Sequence, residues 1–62
     1  MTFKIGDKIT WFIGQKNNPI VLRGLFIEEV SNTQSKVLCY EQNGLQRKVE
    51  IEVETNLLKR DD

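Results

Sequence analysis

Alternating hydrophobicity, dense turn chemistry and a short chain predict an all-β domain, a meander of four or five antiparallel strands curled into a small barrel. The sequence has 62 residues, enough for one compact domain that buries only about 60% of the surface its unfolded chain exposes. Apolar side chains recur with period two in residues 8–13 and again in residues 45–54, the pattern of half-buried strands. Between the last two apolar segments lies Asn43-Gly44. That dipeptide supplies the two positive φ angles of a type I′ turn, whose twist matches the strands it joins.

The elements follow in order. Phe3 and Ile5 offer apolar anchors for an N-terminal arm, and residues 5–8 carry turn chemistry. In residues 8–13, alternation puts Ile9, Trp11 and Ile13 on one face and Thr10 and Phe12 on the other. Residues 14–19 are polar and rich in Gly, Asn and Pro, which predicts a mobile surface loop suited to recognition. The apolar run of residues 20–30 would overreach so small a sheet if straight, so it must bend, and Gly24 at its middle marks the place. Residues 31–35 form a polar turn into the Asn43-Gly44 hairpin. Uninterrupted pairing outward from that turn sets Tyr40 against Arg47, Leu38 against Val49 and Lys36 against Ile51 on one face. Val37 and Cys39 then fall on the polar face beside Lys48 and Glu50. They join the core only if the barrel curls over them; otherwise they form a small patch for a partner or a second copy of the chain. Residues 45–54 place Leu45, Val49, Ile51 and Val53 on one face, interrupted only by Arg47, and Gln46, Lys48, Glu50, Glu52 and Glu54 on the other. Residues 55–58 read as a short 3-10 turn plugging the sheet with two leucines, and residues 59–62 as a frayed tail.

Two stretches carry a family likeness. The opening Phe3-Lys4-Ile5-Gly6-Asp7-Lys8-Ile9-Thr10-Trp11 resembles the first strand of SH3-like small barrels of the Tudor and KOW type. Residues 23–30, led by Arg23-Gly24, are similar to the second strand of that group, and Val49 to Val53 with Leu57 to its last strand and helical turn. The resemblance implies an SH3-like barrel over residues 1–62 and a binding role, since such barrels recognise peptides, modified side chains, nucleic acids or protein surfaces. A fold alone assigns no function, so the site must be argued from residues.

Composition narrows the chemistry. There is no histidine, one cysteine, no Gly-rich phosphate loop and no metal-ligand spacing. Hence no cofactor, metal site or catalytic group is expected, and Cys39 has no base to activate it. Nine basic residues balance nine acidic ones, which removes the simplest pointer to nucleic acid. The first thirty residues contain no apolar run long enough for a signal-peptide core or a membrane span, so the expected compartment is the cytoplasm. The expectation is a non-catalytic module for a protein or peptide partner, of the size of small bacterial or mobile-element modulators. A nucleic-acid-binding barrel and a structural homodimer are the alternatives. The candidate surface combines Trp11, Phe12, Lys16, Asn17, Arg23, Tyr40 and Arg47, aromatic groups for stacking or cation–π contact set among cations and loop amides. Competing with this, Trp11 and Tyr40 share faces with aliphatic residues and suit core or rim packing better than ligand contact.

Overall fold

The computed structural model describes residues 3–61, which form one five-stranded antiparallel sheet. The strands are β1 (Lys8–Gln15), β2 (Asn18–Glu29), β3 (Gln34–Gln42), β4 (Leu45–Glu54) and β5 (Lys59–Arg60), with a 3-10 turn at Thr55–Leu57. Their spatial order is β4-β3-β2-β1-β5. The sheet encloses on one face a core of Ile9, Trp11, Leu22, Phe26, Val37, Cys39 and Leu58, with Phe3, Ile20, Val49, Ile51 and Val53 packed around it.

The Asn43-Gly44 turn forms as the dipeptide requires: φ is 49° at Asn43 and 83° at Gly44, and Gln42 pairs with Leu45. Asn43 also fastens the hairpin to its neighbour. Its backbone N–H donates to the Val21 carbonyl at 2.8 Å, and its Oδ1 accepts from the Val21 N–H at 2.9 Å.

Pairing then departs from the uninterrupted register. Glu41 faces Gln46, but Cys39 faces Val49, so Arg47 and Lys48 lie opposite the single residue Tyr40. This β-bulge shifts every later pair by one residue and exchanges the faces of β3. Val37, now opposite Ile51, and Cys39 are 0% and 1% exposed, while Leu38 faces Glu50 on the outer surface. The exchange is physically favoured because it stacks Val37 and Cys39 on Ile51 and Val49 instead of Glu50 and Lys48. A Cys39 Sγ–H bond to the Glu41 carbonyl, at 3.4 Å, spans the distorted step. The β2–β3 register shifts at the same level, between Arg23 and Gly24. Gly24 lets the two strands approach closely here: a Cβ there would stand 2.4 Å from the Leu38 carbonyl oxygen. A second shift, between Phe26 and Glu28, completes the bend of the long β2 strand.

Other expectations are corrected. Residues 14–19 are not a mobile loop but the tip of the β1–β2 hairpin, because Phe12↔Val21, Ile13↔Ile20 and Gln15↔Asn18 pair and leave a two-residue connection of Lys16 and Asn17. Pro19 is tolerated in β2 because β3 reaches no further than Leu22. The tail is not frayed at its start: Lys59 and Arg60 pair with Thr10 and Ile9, and the Asp61 N–H donates to the Lys8 carbonyl. Asp62, the end of that expected tail, lies outside the described residues. One leucine, not two, plugs the core, since Leu58 is buried and Leu57 exposed. Of the two N-terminal anchors, Phe3 stacks on Phe26 at 5.5 Å between centroids, whereas Ile5 is exposed.

Polar contacts close the ends. Asp7 Oδ2 accepts from the Lys4 N–H at 2.8 Å and lies 3.4 Å from Arg60 Nη2, and the Arg60 guanidinium sits over the Phe3 ring. The first and last described segments are thereby tied together across β1. In the 31–34 turn, Ser31 Oγ accepts from the Gln34 N–H. The fully buried Ser35 shares a 2.6 Å hydrogen bond with the Thr55 hydroxyl at the 3-10 turn. No helix among the described residues is long and apolar enough to cross a membrane.

Candidate binding surface

Trp11 is withdrawn from the candidate surface by the sheet's own geometry. It alternates inward with Ile9 and is completely buried, so no ligand touches it. Phe12, one residue on, is turned outward and 47% exposed.

Phe12 belongs to a face built from cross-strand rows. On the outside of the sheet it pairs with Val21; two residues back along β1, Thr10 pairs with Arg23 and with Lys59; two further back, Lys8 pairs with Leu25, which pairs in turn with Leu38. Val21, Leu25 and Leu38 are half-buried, and Lys8, Arg23 and Lys59 are exposed. With strands about 4.8 Å apart, Lys59 and Arg23 flank Thr10 at roughly 10 Å from each other. Thr10 Oγ1 between them is buried without a hydrogen-bond partner. The result is a mixed face, aromatic and aliphatic in two patches with cations between and beside them.

The remaining candidates fall in two places. Lys16 and Asn17 are exposed at the tip of the β1–β2 hairpin, beyond Phe12. Tyr40 is half-buried at the bulge, where it lines a shallow depression of about 580 Å³ with Glu41, Gln46, Arg47 and Lys48. The uninterrupted register set Arg47 directly across the hairpin from Tyr40. The bulge removes that one-to-one pairing, and the guanidinium donates to Gln42 Oε1 instead. Phe12 and Arg23 thus share one face with Lys16 and Asn17 at its end, while Tyr40 lies apart on β3 and Arg47 on the far edge strand β4.

Charge is segregated although the chain is neutral. Lys8, Arg23 and Lys59 occupy the outer face over β5, β1 and β2, and Glu50, Glu52 and Glu54 the outer face of β4. The described residues hold two ion pairs, Lys36–Glu28 and Arg60–Asp7, and neither neutralises these rows. Among the described residues no group of three or more His, Cys, Asp or Glu side chains is placed to hold a metal ion.

Sequence reasoning reached Phe12 through alternation and Arg23 through its charge. It left Lys59 off the candidate surface, because its place depends on the β1–β5 pairing, and it missed Leu38, which the uninterrupted register turned inward. Comparison of the chain with protein-family models, curated proteins and solved structures finds no match.

Proposed function

We propose that this chain is a non-catalytic interaction module, an SH3-like small barrel that binds a protein partner through the outer face of β1 and β2. The observation that carries the reading is Phe12, a large aromatic held outward on a rigid strand beside Val21 and Arg23. Aromatic and arginine side chains dominate binding energy at protein interfaces, where a buried anchor is ringed by polar groups that exclude water. The strand order, with β5 returning to pair β1 after a 3-10 turn, supports the barrel assignment. A cytoplasmic setting, as in a bacterial cell, suits a chain with one cysteine, held reduced in the core.

Nucleic acid is the second reading, favoured by the Lys8–Arg23–Lys59 cluster beside an aromatic. It ranks lower because one exposed aromatic makes no stacking platform and the Glu50–Glu52–Glu54 row repels phosphate over the other half of the sheet. An amide NMR titration with short single- and double-stranded DNA and RNA at low and moderate salt separates the two. The protein-binding reading expects the resonances of the outer face to stay in place. Saturable shifts at Lys8, Arg23 and Lys59 that fade with salt would overturn it.

A further inference from the structure

We propose that the free edge of β4 is a second docking site, which takes an extended, basic segment of a partner protein as a sixth strand. The proposal rests on the reading of the chain as a binding module but uses a different surface from Phe12.

The edge is open. β4 is terminal in the sheet and pairs with β3 alone. Among the described residues, no backbone hydrogen bond reaches Leu45–Glu54 from any other element. Proteins blunt such edges with short strands, prolines or bulges. Here the bulge is confined to the start of the strand, and from Val49 to Glu54 the pairing with β3 is regular and free of proline. Six consecutive residues therefore offer alternate N–H and C=O groups over about 20 Å.

The core is uncovered along the same edge. On β3, Ser35, Val37 and Cys39 are fully buried, yet their partners Val53, Ile51 and Val49 remain half-buried although they face the same core. A sixth strand with apolar side chains on its inner face would continue the sheet and cover them.

Charge selects the occupant. Glu50, Glu52 and Glu54 are exposed on the outer face of the strand, and no described cation lies within ion-pair distance of them. Lys36, across from Glu52, reaches Glu28 instead, at 4.0 Å. A second copy of the chain adding its own β4 antiparallel would bring two glutamate rows onto one face at one strand spacing, which is repulsive. A segment with lysine or arginine at every second position places a cation against each carboxylate. Strand addition draws affinity from the main chain and specificity from such alternate side chains.

The test uses the full-length, isotope-labelled protein and a capped heptapeptide of alternating lysine and valine. The expected result is saturable binding with amide shifts confined to residues 49–54 and slowed hydrogen exchange there. E52K, on an exposed position, weakens it by about fivefold to tenfold, as replacing one surface attraction by a repulsion implies. A glutamate–valine heptapeptide leaves the spectrum unchanged, and N-methylation of alternate peptide nitrogens abolishes binding. The proposal is overturned if the N-methylated peptide binds equally well, if the shifts map to Phe12 and Val21, or if the lysine–valine peptide does not bind. An interface centred on Phe12 is read separately, by cross-linking from position 12.

Discussion

Replacing Gly24 by alanine tests the close approach of β2 to β3 at that glycine. The added Cβ would lie 2.4 Å from the Leu38 carbonyl oxygen, 3.0 Å from its carbon and 3.2 Å from Cys39 Cα. All three are backbone atoms, so no flexible side chain can swing aside. β2 and β3 must separate by nearly an ångström at the level where Cys39, opposite Gly24, enters the core. Overpacking costs about 1–3 kcal/mol, and contacts with backbone alone take the upper part of that range, about 2–3 kcal/mol. Even a full return of about 1 kcal/mol from the lower entropy of an unfolded chain with alanine in place of glycine leaves a net loss of about 1–2 kcal/mol. A domain of this length is stable by about 3–9 kcal/mol, so the variant remains folded but melts about 5–15 °C lower. Urea and thermal unfolding followed by fluorescence of the buried Trp11 would measure the change. A Gly24→Ala variant within about 0.5 kcal/mol of the parent, the scatter of ordinary surface substitutions, would refute the approach of Leu38 to Gly24 and the register shift beside it.

Asn43 serves the hairpin twice, and two substitutions separate the roles. Asn43→Gly keeps the positive φ and the backbone bond to the Val21 carbonyl but loses the bond that Asn43 Oδ1 accepts from the Val21 N–H, costing about 0.5–1.5 kcal/mol. Asn43→Ala adds the left-handed backbone penalty and costs about 1–2 kcal/mol more by chemical denaturation. Ser35→Ala strands the Thr55 hydroxyl and destabilises by about 1–3 kcal/mol. In a double-mutant cycle with Thr55→Val, a coupling above about 0.5 kcal/mol is expected for residues in contact; simple additivity would remove the hydrogen bond from the account. Cys39, 1% exposed, should react with a thiol reagent only as the protein opens, so its labelling rate rises with urea in step with unfolding. Rapid labelling in native buffer would contradict its place in the core.

Much of the fold was legible because local chemistry dictated it. The type I′ turn at Asn43-Gly44, the bend of β2 at Gly24, the inward Trp11 and the outward Phe12 follow from φ preferences and from alternation in strands. The bulge at Tyr40 was not legible. Alternation within β3 is satisfied either way, because Leu38 and Tyr40 or Val37 and Cys39 can each face a core, and only the packing of the complete sheet decides. That one shift carried Val37 and Cys39 inward and Leu38 outward, and it separated Arg47 from Tyr40. With Val37 and Cys39 both buried, their patch for a partner or a second copy does not form. The β1–β2 tip was hidden differently. Gly14, Asn17, Asn18 and Pro19 have poor strand propensity, yet the flanking Phe12↔Val21 and Ile13↔Ile20 pairs carry the ladder through them. Likewise, two residues of a polar tail gave no periodic signal, and it is the exposed backbone of β1 that recruits Lys59 and Arg60.

The claim of a protein-binding face is tested most directly by placing a photoreactive phenylalanine analogue at position 12 and irradiating cells that express the chain. A parallel sample carries the analogue at Ile5, exposed in the turn before β1 and distant from both Phe12 and β4. A discrete, nuclease-resistant protein adduct from position 12, absent from position 5 and reduced by Arg23→Glu, is the predicted result. No adduct from position 12, or one that nuclease removes, would contradict it.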